Sequence, residues 1–119
     1  MPYQCGTGSE LGGDRAAVKH HQVSDLDIVL VYSDGVSDNV YDKDFKKCVE
    51  ENLHNGLVES LSKAADCLAR IAHRQGKDPK FVSPFTLEMK EASKAGKLVG
   101  PAPKEFIGGK EDDVTVTVA

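Results

Sequence analysis

The sequence of 119 residues lacks the features typical of membrane-spanning, nucleic-acid-binding and repeat proteins. Its apolar runs are far shorter than the roughly 20 residues of a membrane span, so no membrane partner is expected. The formal net charge is −4, and no basic stripe with interleaved aromatic residues occurs, which argues against a nucleic-acid partner. Repeats and low-complexity tracts are also missing. Length and composition therefore favour a single globular domain.

The cysteines are few and form no C-x-x-C pair. Cys5, Cys48 and Cys67 are odd in number and widely spaced, which is typical of packed thiols in a reducing compartment. The first residues show neither the basic start nor the apolar stretch of a secretory signal. The sequence therefore predicts reduced thiols and an intracellular location, either cytoplasmic or mitochondrial.

Two segments have the composition of β-strands. The apolar run inside "LDIVLVYSDGVSDNV" predicts a strand at 27–33, and because this run does not alternate we expect it to be covered on both faces. The alternating β-branched residues of "VTVTV" predict a second strand at 114–118.

The segments between the two strands have helical spacing. Apolar residues predict helices at 42–53, with Asp42 as the cap, and at 57–75, separated by a break at Asn55-Gly56. The sequence "SPF" at 83–85 predicts a third, short helix with Ser83 as its cap. The expected fold class is α+β.

Acidic residues follow the first predicted strand and precede the second. If the strands are antiparallel neighbours, Asp34 and Asp38 face Asp112 and Asp113 across about one strand spacing, roughly 5 Å. Converging carboxylates are stable when a cation lies between them, and oxygen ligands without His or Cys favour magnesium, manganese or calcium. The same residues are also common in solvated turns. Composition alone leaves these two interpretations about equally supported.

Five lysines make the last third of the chain locally basic. A solvated face is the expected interpretation, and a docking surface for a phosphorylated substrate is the alternative; the residues are Lys90, Lys94, Lys97, Lys104 and Lys110.

Two motifs resemble those of the metal-dependent serine/threonine protein phosphatases of the 2C type. They are "VLVYSDGVSDNV" at 29–40, which contains the family's Asp-Gly-x-x-Asp element, and "GGKEDDVTVTVA" at 108–119, which resembles its final Gly-x-x-Asp-Asn/Asp motif. The "SPF" segment and the Gly-Gly-Lys spelling are most similar to the compact branch that includes mitochondrial phosphatases and is akin to bacterial sporulation and stress phosphatases.

The resemblance implies roles for individual residues. Asp34 and Asp112 would bind one of two Mn²⁺ or Mg²⁺ ions of the complete site, and Asp38 would orient water on the metal and help to hold a further ion. Asn39 and Asp113 flank these ligands and would hold them in position without contacting the ion. No side chain would act as a covalent nucleophile, because water attacks the phosphorus atom.

The family domain is longer than this chain, and its N-terminal half supplies a bridging metal site and a phosphate-binding arginine. The resemblance therefore implies that residues 1–119 are the C-terminal portion of a four-layer αββα sandwich with antiparallel sheets and an outer helix pair. The expected activity is hydrolysis of phosphoserine and phosphothreonine in phosphoprotein substrates, with this chain inactive alone. Its expected partners are the missing N-terminal half or a second copy at the uncovered sheet face.

Two other function classes also place acidic residues or a phosphatase-like fold here. A truncated, catalytically inactive phosphatase-like interaction module remains open. A phosphatase of the haloacid-dehalogenase type also places an aspartate at a strand end, but it requires a second aspartate two residues away. Tyr32 and Val36 occupy those positions around Asp34, which excludes that type.

Overall fold

The computed structural model describes residues 16–53 and 58–119 and has the expected α+β fold class. Two predictions concern residues outside the described part. They are the helix break at Asn55-Gly56 and the reduced state of Cys5, which lies within the first 15 residues. The elements in chain order are β1 (Leu30–Tyr32), α1 (Asp34–Ser37), α2 (Asp42–Asn52), α3 (Val58–Gly76), α4 (Pro84–Lys94) and β2 (Val116–Val118).

The two strands are antiparallel neighbours, so the condition under which the acidic residues converge is met. Tyr32 lies opposite Val116, and Leu30 lies opposite Val118. The pairing continues past the end of β1, because the backbone N–H of Ser33 donates to the carbonyl oxygen of Thr115 at 3.1 Å. Both strands are shorter than predicted. This arrangement brings the end of β1 beside the segment that precedes β2, which is where the acidic residues lie.

The expected burial of β1 on both faces is wrong for the described chain. Leu30 packs against the core, but Val29 and Val31, which point the other way, are 43% and 63% exposed. The cause is that helices of the described chain cover only one face of this two-stranded sheet, and side chains alternate between the faces of a strand.

The helices begin close to the predicted positions. α2 starts at Asp42, but Tyr41 occupies the cap position, so the prediction of Asp42 as cap is wrong by one residue. α3 is amphipathic and buries Ala64, Leu68 and Ala72 along one stripe. None of the helices in the described ranges is long and apolar enough to cross a membrane.

The core joins α1, α2 and α3, and it contains a disulfide bond. Val36, Leu68 and Ala72 are buried there together with Cys48, which is bonded to Cys67 across α2 and α3 with a Cα–Cα distance of 5.7 Å. The prediction of reduced thiols is therefore wrong for these two cysteines. Each occupies the core-facing side of its helix, and the packing of the two helices, which cysteine spacing does not reveal, brings them together.

Ser83 caps α4 and also ties it to the C-terminal segment. Its hydroxyl accepts a hydrogen bond from the backbone N–H of Thr86 at 3.2 Å and donates to the carbonyl oxygen of Gly108 at 2.9 Å, and the residue is fully buried. We expect Ser83→Ala to lower the free energy of unfolding by about 1–2 kcal/mol, because it removes a cap and leaves a buried carbonyl unpaired.

Urea unfolding followed by circular dichroism would measure this loss. The matched control is Ser62→Ala on the exposed face of α3, which should be neutral or slightly stabilising because alanine favours helix. Equal unfolding midpoints for the two variants would contradict the assigned role of Ser83.

Candidate metal site

A single helical turn follows β1 and positions two of the predicted ligands. The backbone N–H of Asp38 donates to the carbonyl oxygen of Asp34 at 2.8 Å, and that of Val40 donates to Val36 at 2.8 Å. Residues four apart on a helix lie on the same side, so Asp34 and Asp38 point in a common direction. The full burial of Val36 on the opposite side anchors the turn in the core. The sequence suggested only a turn here, and this helix was not predicted.

Gly35 allows the turn to approach the C-terminal motif closely. A Cβ atom at this position would lie less than 3.0 Å from the backbone carbonyl oxygen of Asp113, and 3.3 Å from Cβ of Asp112. A side chain of any size would separate the two segments. Glycine is therefore required for the close approach of Asp112 to Asp34.

Two polar side chains hold the segments together. The amide of Asn39, which is 1% exposed, donates to the carbonyl oxygens of Gly35 and Lys110 at 2.9 and 2.7 Å, and its oxygen accepts from the backbone N–H of Lys110 at 2.9 Å. The hydroxyl of Ser33 donates to the carbonyl oxygen of Asp113 at 2.8 Å and accepts from the N–H of Thr115 at 3.0 Å.

These contacts bring three of the predicted ligands into one cluster. Asp34, Asp38 and Asp112 each offer a carboxylate oxygen, and the three oxygens lie within 4.8 Å of one another. Asp113 does not join them. Its backbone N–H donates to the carboxylate of Asp112 at 2.9 Å, which restrains that side chain. Asn39 likewise acts on the backbone of the neighbouring segment and offers no atom to the cluster.

A lysine ammonium lies among the three carboxylates. The Nζ atom of Lys110 is 2.6 Å from Asp38, 3.5 Å from Asp112 and 3.8 Å from Asp34, measured to one oxygen of each. It also lies 5.0 Å from the centroid of the Phe85 ring, within the range of a cation–π contact. In this structure, Lys110 supplies the positive charge that the converging carboxylates require.

The surroundings keep Lys110 protonated. The hydrogen bond with Asp38 is the largest influence and, with the charges of Asp38 and Asp34, it raises the pKa of Lys110 above its ordinary value. Partial burial opposes this increase but does not reverse it. Lys110 is therefore a full positive charge at neutral pH.

The sequence did not identify Lys110 as a site residue. Lys90, Lys94, Lys97 and Lys104 are exposed, as expected for a solvated face, whereas the side chain of Lys110 is only 33% exposed. One signal was present: Lys110 and Asp112 are two residues apart, and alternate residues of an extended segment point to the same side.

The donor set fits a hard divalent cation. All three side chains offer carboxylate oxygen, and no histidine or cysteine among residues 16–53 and 58–119 belongs to the cluster. Such ligands suit magnesium, manganese or calcium better than zinc. Asp38 is the least exposed of the three at 18%, which makes its negative charge the one most in need of a counter-charge.

Comparison with known proteins gives consistent matches to one family of phosphatases. The chain is 34% identical over 102 residues to the probable protein phosphatase 2C 26 of Arabidopsis thaliana, which covers 82% of this chain and 31% of that protein. It is 34% identical over 100 residues to the mitochondrial protein phosphatase 2C homolog 7 of Saccharomyces cerevisiae, covering 82% of this chain and 25% of that protein. No family profile matches the chain.

A solved structure supports the same grouping. The X-ray structure of the photosystem II phosphatase PBCP superimposes with a TM-score of 0.56 and 30% identity over 76% of this chain and 34% of that one. The fold and the sequence matches together define a protein of phosphatase ancestry. The chain belongs to the family of 2C-type protein phosphatases, as the two motifs predicted, and it spans about a third or less of the length of these relatives.

Proposed function

We propose that this chain is the C-terminal portion of a 2C-type protein phosphatase domain and carries about half of its binuclear Mn²⁺ or Mg²⁺ site. The observation that supports this proposal is the convergence of Asp34, Asp38 and Asp112 within 4.8 Å at the junction of the two family motifs. The complete domain would hydrolyse phosphoserine and phosphothreonine in phosphoprotein substrates. The names of the relatives support the reaction class.

In this proposal the side chains bind and orient, and none forms a covalent bond. Asp34 and Asp112 would hold one ion, and Asp38 would accept hydrogen bonds from its water. When bound, two divalent ions lower the pKa of a water molecule and offset the charge that develops on the phosphoryl group. Asn39, by fixing the backbone at Lys110, keeps the C-terminal motif in register with α1.

The uncovered face of β1 supports the proposal that this chain is one part of a larger sandwich. Val31 of β1 and Val29, just before it, are exposed on the face of the sheet that points away from the core. We propose that the N-terminal half of the domain covers this face in a four-layer arrangement and supplies the second metal site and the phosphate-binding arginine. Pairing of two copies through the same face is the alternative. The compartment, cytoplasmic or mitochondrial, stays a prediction.

A second candidate is an inactive phosphatase-like interaction module. The ammonium of Lys110 already provides a counter-charge for the carboxylates, so their convergence alone does not require a metal ion. The two candidates differ in whether the cluster binds a divalent ion at all.

Binding of Mn²⁺, followed through the electron paramagnetic resonance signal of the free ion, tests the proposal. We expect the chain to bind one Mn²⁺ weakly, with a Kd of roughly 1 mM, because two directly bound carboxylates leave most of the ion hydrated. Asp34→Asn should weaken binding at least about tenfold. Asp66→Asn removes the same charge from an exposed position on α3 and should leave binding unchanged. Equal binding by both variants would contradict a metal site at Asp34.

A further inference from the structure

The ammonium of Lys110 lies among the three carboxylates, in contact range of each, rather than only in their neighbourhood. Its Nζ atom is within 4 Å of an oxygen of each aspartate, and it is closest to Asp38 at 2.6 Å. A divalent ion bound by Asp34 and Asp112 must approach their carboxylate oxygens to roughly 2.0–2.6 Å, and its water must reach Asp38. The ammonium and such an ion would then occupy overlapping space and carry charges of the same sign.

The backbone of Lys110 is fixed, but its side chain has room to leave. Asn39 binds both the N–H and the carbonyl oxygen of this residue, so the main chain stays in place. The side chain is 33% exposed, and beyond the carboxylates it contacts the ring of Phe85. Movement of a few ångströms towards solvent would vacate the cluster without disturbing the strands.

We propose that Lys110 is a built-in competitor of the metal ion: its ammonium stabilises the carboxylate cluster in the absence of metal and must leave before a divalent ion binds. This inference rests on the proposed function, because it assumes that the cluster is a metal site. Lys110 is thus a residue that sets metal affinity by its charge, and it is not itself a ligand.

The proposal predicts opposite effects on metal affinity and on metal-free stability. Lys110→Met keeps an unbranched side chain but removes the charge, so Mn²⁺ should bind about tenfold more tightly or better. In EDTA the same variant should have a lower Tm than the unmodified chain, because three carboxylates then repel one another. Added Mn²⁺ should raise its Tm more than it raises that of the unmodified chain.

Two further variants separate charge at this position from charge in general. Lys110→Arg retains the cation and should keep both the Mn²⁺ affinity and the metal-free Tm close to those of the unmodified chain. Lys77→Met removes a lysine that pairs with Glu111 at 3.6 Å, next to the cluster but outside it, and should change Mn²⁺ affinity less than about twofold.

The outcomes distinguish this inference from the proposed function. Tighter Mn²⁺ binding by Lys110→Met, together with a lower Tm in EDTA, supports both. Equal Mn²⁺ affinity of the unmodified chain and Lys110→Met overturns the competition and leaves the metal site standing. Weaker binding by Lys110→Met also overturns it, since Lys110 would then assist the ion. No Mn²⁺ binding by any variant overturns the metal site and the competition together.

Discussion

Replacing Asp112 by asparagine should abolish Mn²⁺-dependent turnover of the completed domain. The assay needs the chain fused to the N-terminal part of a relative, such as the Arabidopsis phosphatase, with a phosphothreonine peptide as substrate. Asp112 is held within 4.8 Å of Asp34 and Asp38, and loss of its charge removes a ligand from the ion that this chain contributes. The expected loss is at least about a hundredfold in kcat, roughly 3 kcal/mol of transition-state stabilisation. Asp34→Asn should have an effect of the same size.

The 119-residue chain alone should hydrolyse p-nitrophenyl phosphate no faster than buffer with Mn²⁺, because a single weakly held ion lacks the second metal site. Asp66→Asn, on the exposed side of α3, is the matched control in the fusion and should retain full turnover. Activity of the fusion that survives both Asp34→Asn and Asp112→Asn would contradict the assignment of these residues.

Gly35→Ala should destabilise the fold and separate the ligands. The added Cβ would lie closer than 3.0 Å to the carbonyl oxygen of Asp113, which is backbone and cannot move aside as a flexible side chain would. Overpacking of this kind costs typically 1–3 kcal/mol, and the upper end is expected here because both segments are tied by hydrogen bonds. Mn²⁺ binding should also fall, since α1 must move away from Asp112.

Chemical unfolding and Mn²⁺ titration of the same samples would measure both effects. Gly96→Ala is the control: Gly96 has a φ of +67°, and no atom of the described residues lies within 4 Å of its Cβ position, so alanine there costs only about 1 kcal/mol of backbone strain. Its Mn²⁺ affinity should be unchanged. A Gly35→Ala variant as stable as the unmodified chain, with intact Mn²⁺ binding, would contradict the close approach of the two motifs.

The sequence predicted the elements that depend on local chemistry. The cap at Ser83 and the amphipathic stripe of α3 depend on residue types at fixed spacing along the chain, and both are present in the structure. The sequence left the antiparallel pairing of β1 with β2 as a condition for convergence of the acidic residues; the structure has that pairing, and it brings Asp34 close to Asp112.

The parts that the sequence did not reveal depend on contacts between distant segments. The Cys48–Cys67 bond requires the packing of α2 on α3, and spacing along the chain does not show which helix faces meet. The exposure of Val31 reflects how many layers cover the sheet, which an apolar run cannot indicate. The sequence favoured Lys110 as one lysine of a solvated face. Its place in the cluster follows from hydrogen bonds between its backbone and the side chain of Asn39, 71 residues away.

Anomalous scattering from crystals of the chain grown with Mn²⁺ tests the central claim most directly. We predict one peak with carboxylate oxygens of Asp34 and Asp112 roughly 2.0–2.6 Å away, and with the ammonium of Lys110 moved out of the cluster. A map without a peak between these residues, with Lys110 still bonded to Asp38 at saturating Mn²⁺, would contradict the account.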